Sequence, residues 1–99
     1  MNFLNNMRKL EIKSLPNLRT WVDRDVIMLF SAFQILEDYV ELENGLTHAN
    51  QEYHKDWIKE VNLLYDWWKI RKLELYNKND EEDDLMLERL IKIRRTLWT

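Results

Sequence analysis

Two sets of side chains in this sequence have the chemistry to act on something. The first is acidic. Glu37, Asp38, Glu41 and Glu43 fall in one short stretch, and Asp56, Glu60 and Asp66 in another. If these stretches are helices packed as an antiparallel hairpin, Glu37, Asp38, Glu41 and Glu60 could face each other across it. Such a group suits Mg²⁺, which prefers carboxylate oxygens and phosphate-bearing substrates. The competing use of the same carboxylates is solvation of exposed helix faces.

The second set is aromatic and cationic. The chain has five tryptophans, Trp21, Trp57, Trp67, Trp68 and Trp98, in 99 residues. On a helix Trp67 and Trp68 lie about 100° apart, so if Trp68 faces a core, Trp67 points to the flank or the surface. Lys69, Arg71 and Lys72 follow closely, and the chain ends Arg94-Arg95-Thr96-Leu97-Trp98-Thr99. A tryptophan beside a cation can stack a base while the cation meets a phosphate. The same pair can anchor a protein interface, and indoles also simply fill small cores. The candidate ligand-binding residues are therefore Trp67, Lys69, Arg71, Arg94, Arg95 and Trp98, with a cyclic nucleotide or a protein as the partner.

Conventional catalysis finds no support. There is no cysteine, which removes disulfides, zinc–thiolate sites and thiol nucleophiles together. His48 and His54 are six residues apart and do not share a helical face; Glu52 lies four residues after His48, but two candidate ligands do not make a site. No GxSxG, glycine-rich phosphate loop or HExxH occurs. The reading is of no catalytic residue, no metal site and no cofactor.

The elements that would position these residues follow from periodicity. With 45% hydrophobic and 33% charged residues the composition is globular, and one Gly and one Pro favour a few long helices over many turns. The expectation is one all-α domain, a three-helix bundle. Val26, Leu29, Phe30, Phe33, Leu36, Tyr39 and Val40 recur at three and four residues, with Ile27, Met28 and Ile35 widening the stripe. This predicts a first helix over about 24–43, capped by Asp23 or Asp25 and stopped at Asn44-Gly45. A second helix over about 48–76, capped by Thr47, carries Trp57, Val61, Leu64, Trp68 and Arg71 or Lys72 inward, flanked by Ile58, Tyr65 and Ile70. The short link makes it an antiparallel neighbour of the first. After a polar connection from Asn77 to Asp84, a third helix over about 83–98 follows Met86, Leu90, Ile93 and Leu97. Residues 1–23 form an arm, in which Lys9 to Lys13 alternates as a short strand would; an extended arm packed by Leu10, Ile12 and Leu15 is the other reading.

The acidic set resembles the all-α nucleotide pyrophosphohydrolases, whose metal sites use an ExxE on one helix and an ExxD on the next. Asp38-x-x-Glu41 approaches the first half, but Glu60 is followed at the third residue by Leu63, so the second half is missing. A closer resemblance rests on Arg24-Asp-Val-Ile-Met-Leu-Phe-Ser-Ala-Phe-Gln-Ile-Leu-Glu-Asp-Tyr-Val-Glu41, Leu64-Tyr-Asp-Trp-Trp-Lys69 and Arg94-Arg-Thr-Leu-Trp-Thr99. Together these are similar to a family of short, uncharacterised proteins encoded by tailed bacteriophages, over most of residues 19–99. The family tends to carry Phe where Tyr39 stands here. The resemblance implies a phage gene expressed in the cytoplasm of a bacterial host and supplies no activity. That context suits interference with host defence.

Net charge is −3, so a general electrostatic grip on nucleic acid is not expected. No apolar run approaches the roughly 20 residues that span a bilayer, and none follows Met1 as a secretory leader would. The sequence thus predicts a non-enzymatic, self-associating cytoplasmic protein that binds a host defence protein or a cyclic nucleotide signal. A Mg²⁺-dependent nucleotide hydrolase and a minor virion or assembly component are the alternatives.

Overall fold

Apolar side chains at three- and four-residue spacing can all be buried only if the chain is helical, and the computed structural model bears this out. It describes residues 12–13, 22–42, 55–76 and 79–97. Among them are α1 (Arg24–Glu41), α2 (Lys55–Arg71), α3 (Asp80–Lys92) and a 3₁₀ turn, Arg94–Leu97, with no strand. The chain forms an all-α three-helix bundle. Of the segment weighed as a strand, only Ile12 and Lys13 are described: Ile12 packs against the core, and Lys13 sits in a turn.

α1 begins after Asp23, whose extended backbone lets its carbonyl accept from the Ile27 N–H at 3.1 Å. It ends as the Leu42 N–H bonds to the Asp38 carbonyl at 2.9 Å. Asn44-Gly45 and Thr47 lie outside the described residues. Val26, Leu29, Phe30, Phe33, Leu36 and Tyr39 are buried, as the periodicity requires. They meet Val61, Leu64 and Trp68 of α2 and Met86 and Leu90 of α3, with Leu97 of the 3₁₀ turn. Trp68 is the centre of this core. Its indole lies edge-on to Phe30 (centroids 4.8 Å, planes 81° apart) and stacks on Phe33 (5.0 Å, 24°).

Four expectations need correction. α2 ends at Arg71 and not near Tyr76. Beyond it the Leu73 and Glu74 N–H groups bond three residues back, to Ile70 and Arg71, and the Arg71 guanidinium takes the Glu74 carbonyl. Those bonds tighten the chain into a turn toward α3. α3, in turn, starts at Asp80, so the acidic run assigned to the connection is largely helical. Asn79 caps it, its side-chain oxygen accepting from the Glu82 N–H at 3.1 Å, and the four acids Asp80 to Asp83 sit where the helix dipole favours them.

The same helix stops at Lys92, short of 98, because the Ile93 carbonyl is taken by both the N–H and the hydroxyl of Thr96, at 2.9 and 2.7 Å. The resulting 3₁₀ turn still returns Leu97 to the core. Finally, Met28, Ile35 and Ile70, read as widening or flanking the core stripes, stand exposed.

Ion pairs fix the directions of the helices. Arg71 at the end of α2 holds Asp83 at the start of α3, and Glu60 near the start of α2 holds Arg89 near the end of α3, so these two run antiparallel. Tyr39–Trp57 and Phe30–Trp68 contacts make α1 and α2 antiparallel as well. α1 and α3 therefore run in the same sense, with their N-terminal ends side by side.

Candidate functional site

Of the six candidate ligand-binding residues, Trp67 and Arg71 line one pocket of about 290 Å³, and Lys69, Arg94 and Arg95 are not among its lining residues. Trp67 is half-buried: its ring lies 5.2 Å from Phe33, and its Nε1 donates to Glu82 Oε1 at 2.7 Å. Arg71, the last residue of α2, is 6% exposed and spends its donors inside the molecule. Its Nε and Nη2 reach Asp83 Oδ1 and Oδ2 at 2.7 and 3.0 Å, and its guanidinium carbon lies 5.7 Å from the Phe30 centroid. A guanidinium held this way is a structural strut and has little left for a phosphate.

Lys69 is exposed, 3.7 Å from Asp66 and above the Tyr65 ring. Arg94 and Arg95 are exposed in the 3₁₀ turn that follows α3, past the opposite end of that helix from Asp83. Trp98 lies outside the described residues.

The acidic residues weighed as a Mg²⁺ site are likewise dispersed among private partners. Glu37 is buried against the Lys72 ammonium and accepts from Gln34 Nε2 at 2.9 Å. Asp38 shares that amide, also at 2.9 Å, and lies 4.0 Å from Lys13. Gln34 itself is buried, its carbonyl taken by the Lys13 backbone N–H at 3.1 Å. Glu41 accepts the Tyr65 hydroxyl at 2.8 Å, and Glu60 binds Arg89. Among the described residues, no three acidic or histidine side chains converge as metal ligands would; His48 and His54 are not among them. The carboxylates do shape one titration. Burial first, and then the hydrogen bond to Glu41, push the Tyr65 hydroxyl up to about 12.

Two further surfaces bear on binding. One is a groove of about 500 Å³ where the N-terminal ends of α1 and α3 meet. Among the described residues, Asp23, Asp25, Asp80, Asp83 and Asp84 line it with one cation, Arg71, over a floor that includes Met28, Leu29 and Leu87. Its field repels nucleotides and attracts cations.

The other surface is the outer face of α1. Between Asp25 and Glu41 only Met28 and Ile35 are fully exposed, at 65% and 46%, and Leu42 continues their line at 63%. Residues seven apart lie within about 20° of each other around a helix, so these three form one apolar stripe. Half-buried Ser31 and Ala32 are the small side chains between the first two. The polar residues of mid-helix, Gln34 and Glu37, are turned inward. This face is the reverse of an ordinary surface helix, which puts its charges toward water. Sequence reading assigned Met28 and Ile35 to the core because they are apolar; their seven-residue spacing was the signal for a second face.

Comparison with protein-family models, with curated proteins and with solved structures returns no match. No helix among the described residues is long and apolar enough to cross a membrane.

Proposed function

We propose that this chain is a non-enzymatic binding protein that works as a self-associated assembly. The observation that carries the reading is the outward apolar stripe Met28, Ile35 and Leu42 on a helix whose mid-section exposes no charge. Ile70, Leu73 and Tyr76 are also exposed, at and beyond the end of α2. A contiguous exposed apolar stripe is characteristic of surfaces that meet other proteins.

The partner reading shifts with the geometry. Trp67 and Arg71 serve internal contacts and the groove between the N-terminal ends of α1 and α3 is acidic, so a protein partner is favoured over a cyclic nucleotide. The resemblance to tailed-phage proteins supports a host defence protein as the target of the assembly. The separate engagement of Glu37, Asp38, Glu41 and Glu60 favours a binding protein over a Mg²⁺ hydrolase.

Sedimentation velocity across the micromolar range tests the reading. The expected mass is a multiple of the 12.3 kDa of one chain. A single-chain mass throughout that range would refute self-association.

A further inference from the structure

The face of α1 and the charges at the two ends of the bundle together specify how the copies meet. We infer that two chains pack α1 against α1 in antiparallel sense, with Ile35 on the two-fold axis and Met28 of each copy against Leu42 of the other. This deepens the proposed self-association and rests on it. The stripe is symmetric about its middle, since Met28 and Leu42 stand seven residues to either side of Ile35. A two-fold axis through Ile35 therefore superimposes the stripe on itself, as an isologous interface requires. Ser31 and Ala32 leave room beside it for a close approach of the two backbones.

Charge selects antiparallel over parallel. At the Met28 end, the groove carries Asp25, Asp80 and Asp84, none of which has an ion-pair partner among the described residues. Because α3 runs in the same sense as α1, its C-terminal cations Arg94 and Arg95 lie at the Leu42 end, exposed and likewise without an acidic partner among the described residues. α3 itself spans about 18 Å at the helical rise, and the 3₁₀ turn that carries Arg94 and Arg95 follows it, so acids and arginines stand toward opposite ends of the bundle, as Met28 and Leu42 do. Antiparallel packing therefore brings each copy's arginine end alongside the other's acidic end when the stripes are in register. Parallel packing sets acid beside acid and arginine beside arginine, which like-charge repulsion disfavours. A second copy of this chain is thus the occupant that both the apolar and the charged surfaces fit.

The chain has no cysteine, so single cysteines report the pairing without background. Ile35→Cys should form a disulfide-linked dimer under mild oxidation. Met28→Cys alone should not, but mixed with Leu42→Cys it should give a linked heterodimer. All three positions are exposed, so the substitutions leave the core intact.

Disulfide-linked Met28→Cys homodimers would overturn the antiparallel sense. Absence of linkage at every position, in samples that sediment above one chain, would overturn α1 as the interface while leaving self-association standing. A single-chain mass for the unmodified protein would remove both.

Discussion

The Arg71 guanidinium grips the Asp83 carboxylate with two hydrogen bonds, Nε–Oδ1 at 2.7 Å and Nη2–Oδ2 at 3.0 Å, and both side chains are largely withdrawn from water. This pair fastens the end of α2 to the start of α3 at the point where the chain reverses. A buried charge left without its partner is costly, so Arg71→Ala or Asp83→Ala should each lower stability by about 3–5 kcal/mol. Replacing both at once, as Arg71→Met with Asp83→Leu, should cost far less than the sum of the single changes, because no orphaned charge remains. Urea unfolding of the four proteins measures the difference.

Trp68 presents an unusual balance. It is fully buried between Phe30 and Phe33, yet its Nε1 has no hydrogen-bond partner among the described residues. Trp68→Ala should cost about 3–5 kcal/mol through lost contacts and the cavity left behind. Trp68→Phe should cost clearly less, since a ring still fills most of the space and the unpaired donor, a penalty of about 1–3 kcal/mol, is gone. Equal losses for Ala and Phe in thermal unfolding would show that the indole N–H carries no penalty.

Tyr65 gives the fold an alkaline signature. Its hydroxyl, raised from 10.0 to about 12 by burial and by the bond to Glu41, holds its proton more tightly folded than unfolded. The stability this contributes is complete below the unfolded value near 10, and it is lost as pH rises through the folded value near 12. Tyr65→Phe should therefore flatten the fall of melting temperature over that window. Absorbance titration near 295 nm should show a late-ionising tyrosine that is lost in the variant.

Much of the architecture was legible in the residues, and the misses have physical causes. Three- and four-residue spacing located α1, α2 and α3, and the inward line Val61, Leu64, Trp68, Arg71 was visible as a stripe, because burial of a helix face leaves that period in the sequence. The helix ends were less visible. Asn79 capping Glu82, and Thr96 doubly bonded to Ile93, are local contests between side chain and backbone that periodicity does not record.

The internal engagement of Trp67 and Arg71 has another cause. Trp67 and Arg71 have the types a binding site uses, but Glu82 and Asp83 are also within reach once α3 begins at Asp80, and internal partners at fixed distance claim them. Charge type showed in the sequence; which charge would meet which depended on the direction of α3.

The central claim is that α1 carries the contact between copies, and Ile35 sits at the middle of that contact. Ile35→Lys places a charge where two apolar stripes should meet, on a side chain 46% exposed and so tolerable to the isolated fold. Light scattering on size-separated protein, run side by side with the unsubstituted chain, reads the outcome. The account predicts an assembly for the unsubstituted protein and one 12.3 kDa chain, with its helical circular dichroism intact, for Ile35→Lys. The same mass for both proteins would contradict it.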